Sequence, residues 1–177
     1  VQHGDDMILK RMKRRHLRRD IMRFVSEARR RRSDVVFGAD FITGFPTETD
    51  NAHYASLSLI EEAGLTHLHV FGYSAREGTP AARMPQVDNT VIKSRVAEMR
   101  AVGDRQRDAH LIRRCGGVDM MLVEKGKTGY LSGFEKAVLP ENLHINTGSL
   151  LPVKLEAAQQ GVMQVVPLIS TPATRST

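Results

Sequence analysis

The sequence has a single cysteine, no tryptophan and no long apolar run among its 177 residues. The lone thiol, Cys115, excludes a disulfide within the chain and any metal site that needs three or four thiolates from this chain alone. No apolar stretch approaches the roughly 20 residues that span a bilayer, so no membrane partner is expected. The chain begins with valine and shows no cleavable leader pattern. We therefore expect an excerpt of a cytoplasmic protein.

Positive charge is concentrated near the start of the chain. The formal net charge is +6, and residues 10–32 hold 12 of the 26 lysine and arginine residues. We call this segment the basic stripe. Such a stripe binds polyanions, because each neutralised phosphate releases condensed counterions. It is also typical of a solvated helix face, and the composition leaves both interpretations open.

Helices and strands alternate in the pattern of the first two thirds of the chain. The predicted elements are a helix from Asp5 to Met12, a helix through Leu17 and Ala28, a strand from Val35 to Ile42, a helix from Asp50 to Gly64, a strand from Thr66 to Tyr73 and a helix from about Asn89 to Arg114. Strand, helix and strand in succession form a parallel crossover unit, so the predicted fold class is α/β. Alternation along the first strand places Asp40 and Ile42 on one face and Phe41 on the other.

The sequence pattern changes after residue 117. Short apolar runs, at Met120 to Val123, Leu150 to Leu155 and Val162 to Leu168, are separated by turns that contain glycine, which indicates a small β module. The last residues, 170–177, are rich in serine and threonine and are expected to be disordered. The predicted division is therefore 1–117, 118–169 and 170–177.

Three segments of the chain resemble motifs of the radical S-adenosylmethionine methylthiotransferases. Residues 40–49 resemble the D-x-I-x-G-F-P-G-E-T motif on the fifth strand of that family, and residues 68–82 resemble its sixth strand and the following loop. The start of the chain resembles the family segments P-V-Q-S-G-S-D and L-x-x-M-x-R-x-Y through residues 1–5, Leu9, Met12, Arg14 and His16. The β module resembles the TRAM-type barrel that ends these enzymes.

The resemblance implies a fold, a reaction and a set of partners. The fold is the C-terminal half of a partial (β/α)6 barrel, followed by the TRAM-like module. The cofactors are S-adenosylmethionine and 4Fe-4S clusters, with cluster ligands in a part of the enzyme that precedes this chain, and an electron donor reduces the cluster. The substrate is tRNA, on which an adenosyl radical abstracts hydrogen before a sulfur atom and a methyl group are installed.

The same resemblance assigns cofactor or substrate contact to particular positions. They are Gln2, Arg14, Asp40, Ile42, Gly44, Phe71 and Tyr73. Each has a structural alternative: Asp40 could hydrogen-bond a neighbouring strand end, Arg14 could belong to a solvated face, and the two aromatic residues could be core residues. No catalytic residue is assigned, and no metal site is predicted within this chain.

The chain departs from the family pattern at several positions. His3 stands where serine is usual, Leu17 stands where a threonine would cap the second helix, and Thr47 replaces the glycine of the G-F-P-G-E-T string. If that glycine serves a positive φ, Thr47 is strained.

The loop after the second strand bears on the substrate. The pair Gly78-Thr79 favours the tRNA branches over the branch that modifies a ribosomal protein. The run from Leu68 to Phe71 and then Tyr73-Ser74 resembles enzymes for N6-threonylcarbamoyladenosine more than those for isopentenyladenosine. An alternative of another class is a non-catalytic RNA-binding fragment, since the cysteine triad C-x-x-x-C-x-x-C is absent.

Overall fold

A computed structural model describes residues 1–143 and 145–168 of the chain. The chain forms two compact units, residues 1–107 and the part from residue 108 onward. The boundary between these units falls inside the long helix. The reason is Leu111, near the end of that helix, whose side chain is fully buried in the second core. The predicted division into 1–117, 118–169 and 170–177 stays a prediction.

The first unit contains the predicted alternation of helices and strands. Its elements are α1 (Asp6–Arg11), α2 (Arg18–Arg31), β1 (Gly38–Thr43), α3 (Asp50–Ala63), β2 (His67–Gly72), a 3-10 turn (Pro80–Arg83) and α4 (Asn89–Arg114). No helix within residues 1–143 and 145–168 is long and apolar enough to cross a bilayer. The α/β class of this part of the chain is confirmed.

The two strands of the first unit pair in parallel and in the register that the crossover requires. Gly38 lies opposite His67 and Thr43 opposite Gly72. The strand begins later than Val35, the predicted start, because its partner β2 begins at His67, opposite Gly38. Before that step, the oxygen of Phe37 accepts a hydrogen bond from the N–H of Thr66 at 3.0 Å. The predicted alternation is confirmed, since Phe41 is fully buried while Asp40 is exposed.

The core of the first unit lies on one side of this strand pair. Phe41 and Val70 pack with side chains of α2, α3 and α4, which are Ile21, Val25, Leu59, Ile60, Met99 and Val102. Burial of each such side chain contributes on the order of 2 kcal/mol. The helices therefore cover one face of the strands and leave the other face open.

The helix ends of the first unit follow from local chemistry. The side chain of Asp5 accepts a hydrogen bond from the backbone N–H of Ile8 at 2.9 Å and caps α1. Gly64 ends α3 at φ +57, in the left-handed conformation that glycine favours. Leu17 offers no oxygen to α2, so the expected loss of that cap is confirmed; Asp20 compensates by accepting from the N–H of Leu17 at 2.9 Å.

The second unit contains a closed barrel of five strands. They are β3 (Val118–Lys125), β4 (Thr128–Leu131), β5 (Lys136–Val138), β6 (Leu150–Gln159) and β7 (Val162–Pro167), in the order β3-β4-β5-β7-β6. The small β module is thereby confirmed, and it is consistent with a TRAM-like barrel. The residues predicted to be disordered, 170–177, lie outside the described residues.

A buried carboxylate joins the end of α4 to this barrel. One oxygen of Glu135 accepts hydrogen bonds from His110 at 2.7 Å and from Arg114 at 2.5 Å. Burial raises the pKa of Glu135, but the hydrogen bonds from His110 and Arg114 outweigh it and hold the pKa at about 2. Arg114 also pairs with Asp119 at 2.5 Å. The helix end is therefore held against the strands by charge as well as by Leu111.

We predict that Thr47→Gly stabilises the protein relative to Thr47→Ala by about 1 kcal/mol. Thr47 has φ +69, so the strain expected from its place in the motif is confirmed. A left-handed conformation costs a residue with a Cβ about 1–2 kcal/mol, part of which the higher entropy of unfolded glycine cancels. Both variants lose the hydroxyl contact with Arg11, so urea unfolding of the pair isolates the backbone cost. Equal stability of the two variants would contradict the strain.

Candidate functional site

A cleft of about 560 Å³ opens at the carboxyl ends of β1 and β2. It is lined by Gln2, Asp40, Ile42, Phe71, Gly72, Tyr73, Ser74, Arg76, Thr79 and Ala81. Five of the seven positions assigned from the sequence lie in this lining, the exceptions being Arg14 and Gly44. A volume of this size lies within the usual range for pockets that hold small molecules.

The open face of the strand pair forms the floor of the cleft. Because registered residues of parallel strands share a face, Asp40 lies beside His69 and Ile42 beside Phe71. The side chain of Phe71 is 56% exposed, so it lies outside the cores formed by the described residues. The carboxylate of Asp40 is exposed and has no hydrogen-bond partner among residues 1–143 and 145–168. The floor therefore offers an apolar surface next to an available carboxylate.

The start of the chain forms one wall of the cleft. The backbone oxygen of Gln2 accepts a hydrogen bond from the N–H of Ile42 at 2.9 Å, so this segment runs along β1. The side-chain oxygen of Gln2 accepts from the guanidinium of Arg14 at 3.1 Å. Arg14 is exposed and does not line the cleft, but it orients the amide that does.

Gly44 serves the turn that follows β1 rather than the cleft surface. Its φ is +75, and a Cβ there would lie 2.4 Å from the side chain of Ile92 on α4. Any other residue would therefore both strain the backbone and force the side chain of Ile92 to move. The space beside this glycine is filled by Ile92. Contact of Gly44 with the cofactor stays a prediction.

Tyr73 joins the cleft to the turn after β1. Its N–H donates to the oxygen of Thr43 at 2.8 Å, which extends the strand pairing by one step. Its ring meets that of Phe45 edge to face, with 5.2 Å between the centroids. The position of Tyr73 in the cleft therefore depends on where the turn holds Phe45.

A buried carboxylate, which sequence reasoning missed, holds that turn. The side chain of Glu48 accepts hydrogen bonds from the N–H of Gly44, from the N–H of Phe45 at 3.0 Å and from the hydroxyl of Thr43 at 3.1 Å. Glu48 is 5% exposed. One side chain thus satisfies three donors of the turn that carries Gly44 and Phe45.

Three basic side chains surround this carboxylate. Its oxygens lie 3.5 Å from Arg95, 3.5 Å from His53 and 3.8 Å from His3. Burial raises the pKa of Glu48, but the interactions with His3 and His53 and the charge of Arg95 outweigh it and lower the pKa to about 2. The Nδ1 atom of His3 accepts from the N–H of Asp5 at 3.0 Å, so the proton of His3 lies on Nε2, which faces Glu48.

The sequence contained one signal of this cluster. His3 stands where the related motif has serine, and a histidine that replaces a small polar residue in a fully buried position needs an acidic partner. Its partners lie far away in sequence, at 48, 53 and 95, and only the fold brings them together. The cluster touches the cleft through Phe45 and Tyr73, so its role is to position cleft residues.

The described residues contain no group suited to a metal ion. No cluster of three or more His, Cys, Asp or Glu side chains with that capacity occurs within residues 1–143 and 145–168. Cys115 is a half-buried free thiol in the second unit, and its Sγ donates to the oxygen of Leu111 at 3.5 Å. The lining of the cleft offers apolar, amide, carboxylate, hydroxyl and guanidinium groups to a ligand.

We predict that Glu48→Gln lowers the free energy of unfolding by about 3 kcal/mol at pH 7 and by only about 1 kcal/mol at pH 3. A carboxyl whose folded pKa lies below its unfolded pKa stabilises the fold above the unfolded value, and this contribution is lost as the pH falls through the folded value. For Glu48 that window runs from 4.5 down to about 2. Urea unfolding at several pH values measures the difference.

The control for this prediction is Glu61→Gln, an exposed position on α3 that should change stability by less than about 0.5 kcal/mol at either pH. A difference between Glu48→Gln and the natural chain that stays constant from pH 7 to pH 3 would contradict a charged Glu48.

Comparison with known proteins relates the chain to one group of enzymes. No family model matches it. The threonylcarbamoyladenosine tRNA methylthiotransferase MtaB of Rickettsia prowazekii is 43% identical over 94% of this chain and 39% of its own length. The tRNA-2-methylthio-N(6)-dimethylallyladenosine synthases of Roseobacter denitrificans and Cereibacter sphaeroides are 34% and 36% identical, over 95% and 89% of this chain and 39% and 37% of their own lengths. The chain is therefore homologous to the tRNA methylthiotransferases, and it spans about two fifths of the length of these relatives.

Proposed function

We propose that the chain is part of a tRNA methylthiotransferase that adds a methylthio group to C2 of N6-threonylcarbamoyladenosine, next to the anticodon. The observation that carries the proposal is the cleft, in which Gln2, Asp40, Ile42, Phe71 and Tyr73 meet at the carboxyl ends of parallel strands. Such strand ends are where α/β proteins bind ligands. The similarity to MtaB of Rickettsia prowazekii supports the choice of substrate.

The proposed architecture is that of the relatives' C-terminal portion. The parallel pair β1–β2 with α3 between them supplies one crossover of a (β/α)6 barrel. The five-stranded barrel of the second unit supplies the TRAM-like module. In this arrangement the open face of β1 and β2 is the inner face of the larger barrel, because the helices lie on the other side.

The cleft fits S-adenosylmethionine in size and chemistry. A planar adenine ring can lie on the apolar surface formed by Ile42 and Phe71, while the amide of Gln2 and the carboxylate of Asp40 can hydrogen-bond polar groups at its edge. The carboxylate is also suited to a cationic ligand, because it has no partner among the described residues. When bound, S-adenosylmethionine supplies the methyl group and the adenosyl radical of the family's reaction.

The remaining assigned residues position the cleft in this proposal. Arg14 holds the amide of Gln2 by its hydrogen bond of 3.1 Å. Gly44 allows the tight turn against Ile92, and Tyr73 closes the end of the sheet beside Phe45. These residues keep the ligand-facing groups fixed, which lowers the ordering cost of binding.

The residues of this chain do not fit a 4Fe-4S cluster. Such clusters need several cysteine thiolates, and the chain has only Cys115. In this proposal the cluster ligands belong to other parts of the enzyme, and this chain takes part in the reaction through recognition.

A second candidate substrate is the dimethylallyl, or isopentenyl, derivative of adenosine. It is favoured by the names of the relatives from Roseobacter denitrificans and Cereibacter sphaeroides. A non-catalytic RNA-binding role is favoured by the absence of a cysteine triad from the sequence.

We predict that a strain without the gene that encodes this chain lacks the methylthio form of threonylcarbamoyladenosine in its tRNA. Mass spectrometry of digested tRNA measures both methylthio nucleosides and their precursors. Loss of the threonylcarbamoyl form alone supports the proposal, and loss of the dimethylallyl form alone supports the second candidate. Unchanged levels of both methylthio nucleosides would contradict both enzymatic candidates and support the non-catalytic role.

We also predict that Asp40→Ala and Phe71→Ala, restored to that strain, lower the methylthio nucleoside at least about tenfold, which corresponds to about 1.4 kcal/mol of lost binding or transition-state stabilisation. The matched control is Glu61→Ala, an exposed carboxylate on α3 outside the cleft lining, which should restore the nucleoside fully. Immunoblots establish that the three variants accumulate equally. Full restoration by Asp40→Ala and Phe71→Ala would contradict the assignment of the cleft.

A further inference from the structure

The cations of the basic stripe fall into two groups that the sequence does not distinguish. One group is engaged within the protein. Arg18 donates to the oxygen of Ala55 and pairs with Glu62 at 2.8 Å, and Arg29 donates to the oxygen of Ala63 at 2.9 Å. Arg30 and Arg31 both pair with Glu27, and Arg32 pairs with Asp34.

The other group has no side-chain partner among residues 1–143 and 145–168. It consists of Lys10, Lys13, Arg15, Arg19 and Arg23, all of which are exposed. We call these five residues the free cations. They occupy the end of α1, the loop after it and the first part of α2. Three engaged cations, Arg11, Arg14 and Arg18, lie between them in the chain. The other paired cations follow toward the end of α2, together with the acids that neutralise them.

The position of the free cations on α2 is fixed by its buried side. Ile21 and Val25 face the core, and Arg19 and Arg23 lie two residues before each of them, on the opposite side of the helix. Four residues of helix rise about 6 Å, so these two guanidinium groups form a row along the helix axis. Arg15 precedes Arg19 by the same number of residues.

The free cations are connected to the cleft through the loop between α1 and α2. Lys13 and Arg15 flank Arg14, whose guanidinium donates to the side-chain oxygen of Gln2 at 3.1 Å, and Gln2 lines the cleft. A polyanion that follows the free cations along α2 toward this loop therefore reaches the cleft at the wall that Gln2 forms.

We propose that the free cations form a track for the RNA backbone, which holds tRNA phosphates while a nucleoside enters the cleft. This inference rests on the proposed function for the identity of the RNA. Phosphate contacts fix position and orientation without reading sequence, and unpaired guanidinium groups make them at no cost of a broken ion pair.

The surface favours RNA over a membrane of anionic lipid. A helix that lies in a membrane inserts an apolar face. The apolar side of α2 is buried in the core, and Phe24, the one large apolar side chain exposed on α2, packs edge to face with Phe37 at 6.3 Å between centroids. Phe24 remains 67% exposed, but it is a single ring beside charged side chains, so α2 presents charge rather than a continuous apolar face to a partner.

The test compares two triple variants that remove the same charge from neighbouring parts of the surface. Arg15→Gln, Arg19→Gln and Arg23→Gln together remove free cations, whereas Arg30→Gln, Arg31→Gln and Arg32→Gln together remove cations that pair with Glu27 and Asp34. Binding of the 177-residue chain to a fluorescent tRNA transcript is followed by anisotropy between about 50 and 200 mM salt. Circular dichroism establishes that both variants keep the fold.

We expect the first triple variant to bind tRNA at least about tenfold more weakly. We also expect the slope of log K against log salt to become shallower by about 2, because each lost phosphate contact removes about 0.7 to 0.9 from the magnitude of that slope. The second should lose less than about threefold. Equal losses in both variants would show that only net charge matters and would overturn the track. Absence of tRNA binding by the natural chain, or stronger binding to phosphatidylglycerol vesicles than to tRNA, would overturn it as well.

The result is separable from the test of the proposed function. If the deletion strain loses the methylthio nucleoside but the first triple variant binds tRNA normally, the enzyme assignment stands and the track is rejected. If the first triple variant loses affinity for tRNA but deletion of the gene leaves the methylthio nucleosides unchanged, the track stands and the enzyme assignment is rejected.

Discussion

The carboxylate of Glu48 is buried among donors that it satisfies together. It receives two backbone N–H groups and a hydroxyl from the segment Thr43 to Phe45, and it lies within 3.5 to 3.8 Å of His3, His53 and Arg95. A buried ion is expensive unless it is paired and hydrogen-bonded, and here both conditions are met. The start of the chain, the turn after β1, α3 and α4 all meet at this side chain.

The geometry of the cleft depends on the contacts that Glu48 makes. Glu48 holds the turn, the turn places Phe45, and Phe45 packs against Tyr73 at the end of β2. On the other side, Gln2 runs beside Ile42 and is oriented by Arg14. The groups that face the ligand are therefore supported by hydrogen bonds and ring contacts to residues that never touch it.

Local features of this fold could be read from the sequence. Asp5 at the start of α1, Gly64 at the end of α3, the bounds of α4 and the alternation of Asp40 with Phe41 all depend on interactions between residues close in the chain. The residues of the cleft came from resemblance to known motifs, and their convergence on one surface agrees with the geometry of parallel strands.

Other features could not be read in this way because they depend on distant residues. The Glu48 cluster joins positions 3, 48, 53 and 95, and Arg18 and Arg29 are engaged by groups of α3 at positions 55, 62 and 63. Strands β4 and β5, of 4 and 3 residues, are too short to show a pattern and exist because the barrel supplies partners for them. Such features emerge only when the chain has folded.

The alternation along β1 has one further consequence, for the way this segment can change over time. The same six residues of β1 contribute to both the core and the cleft. Phe41 faces the core, and Asp40 and Ile42 face the cleft. Inserting or deleting a single residue inside the strand would exchange the two faces, putting a carboxylate into the core and an aromatic ring into the cleft. Point substitutions can change the core face or the cleft face of β1 separately, whereas a change in its length would disrupt both. We therefore expect the number of residues in this strand to vary less among related chains than the identity of those residues.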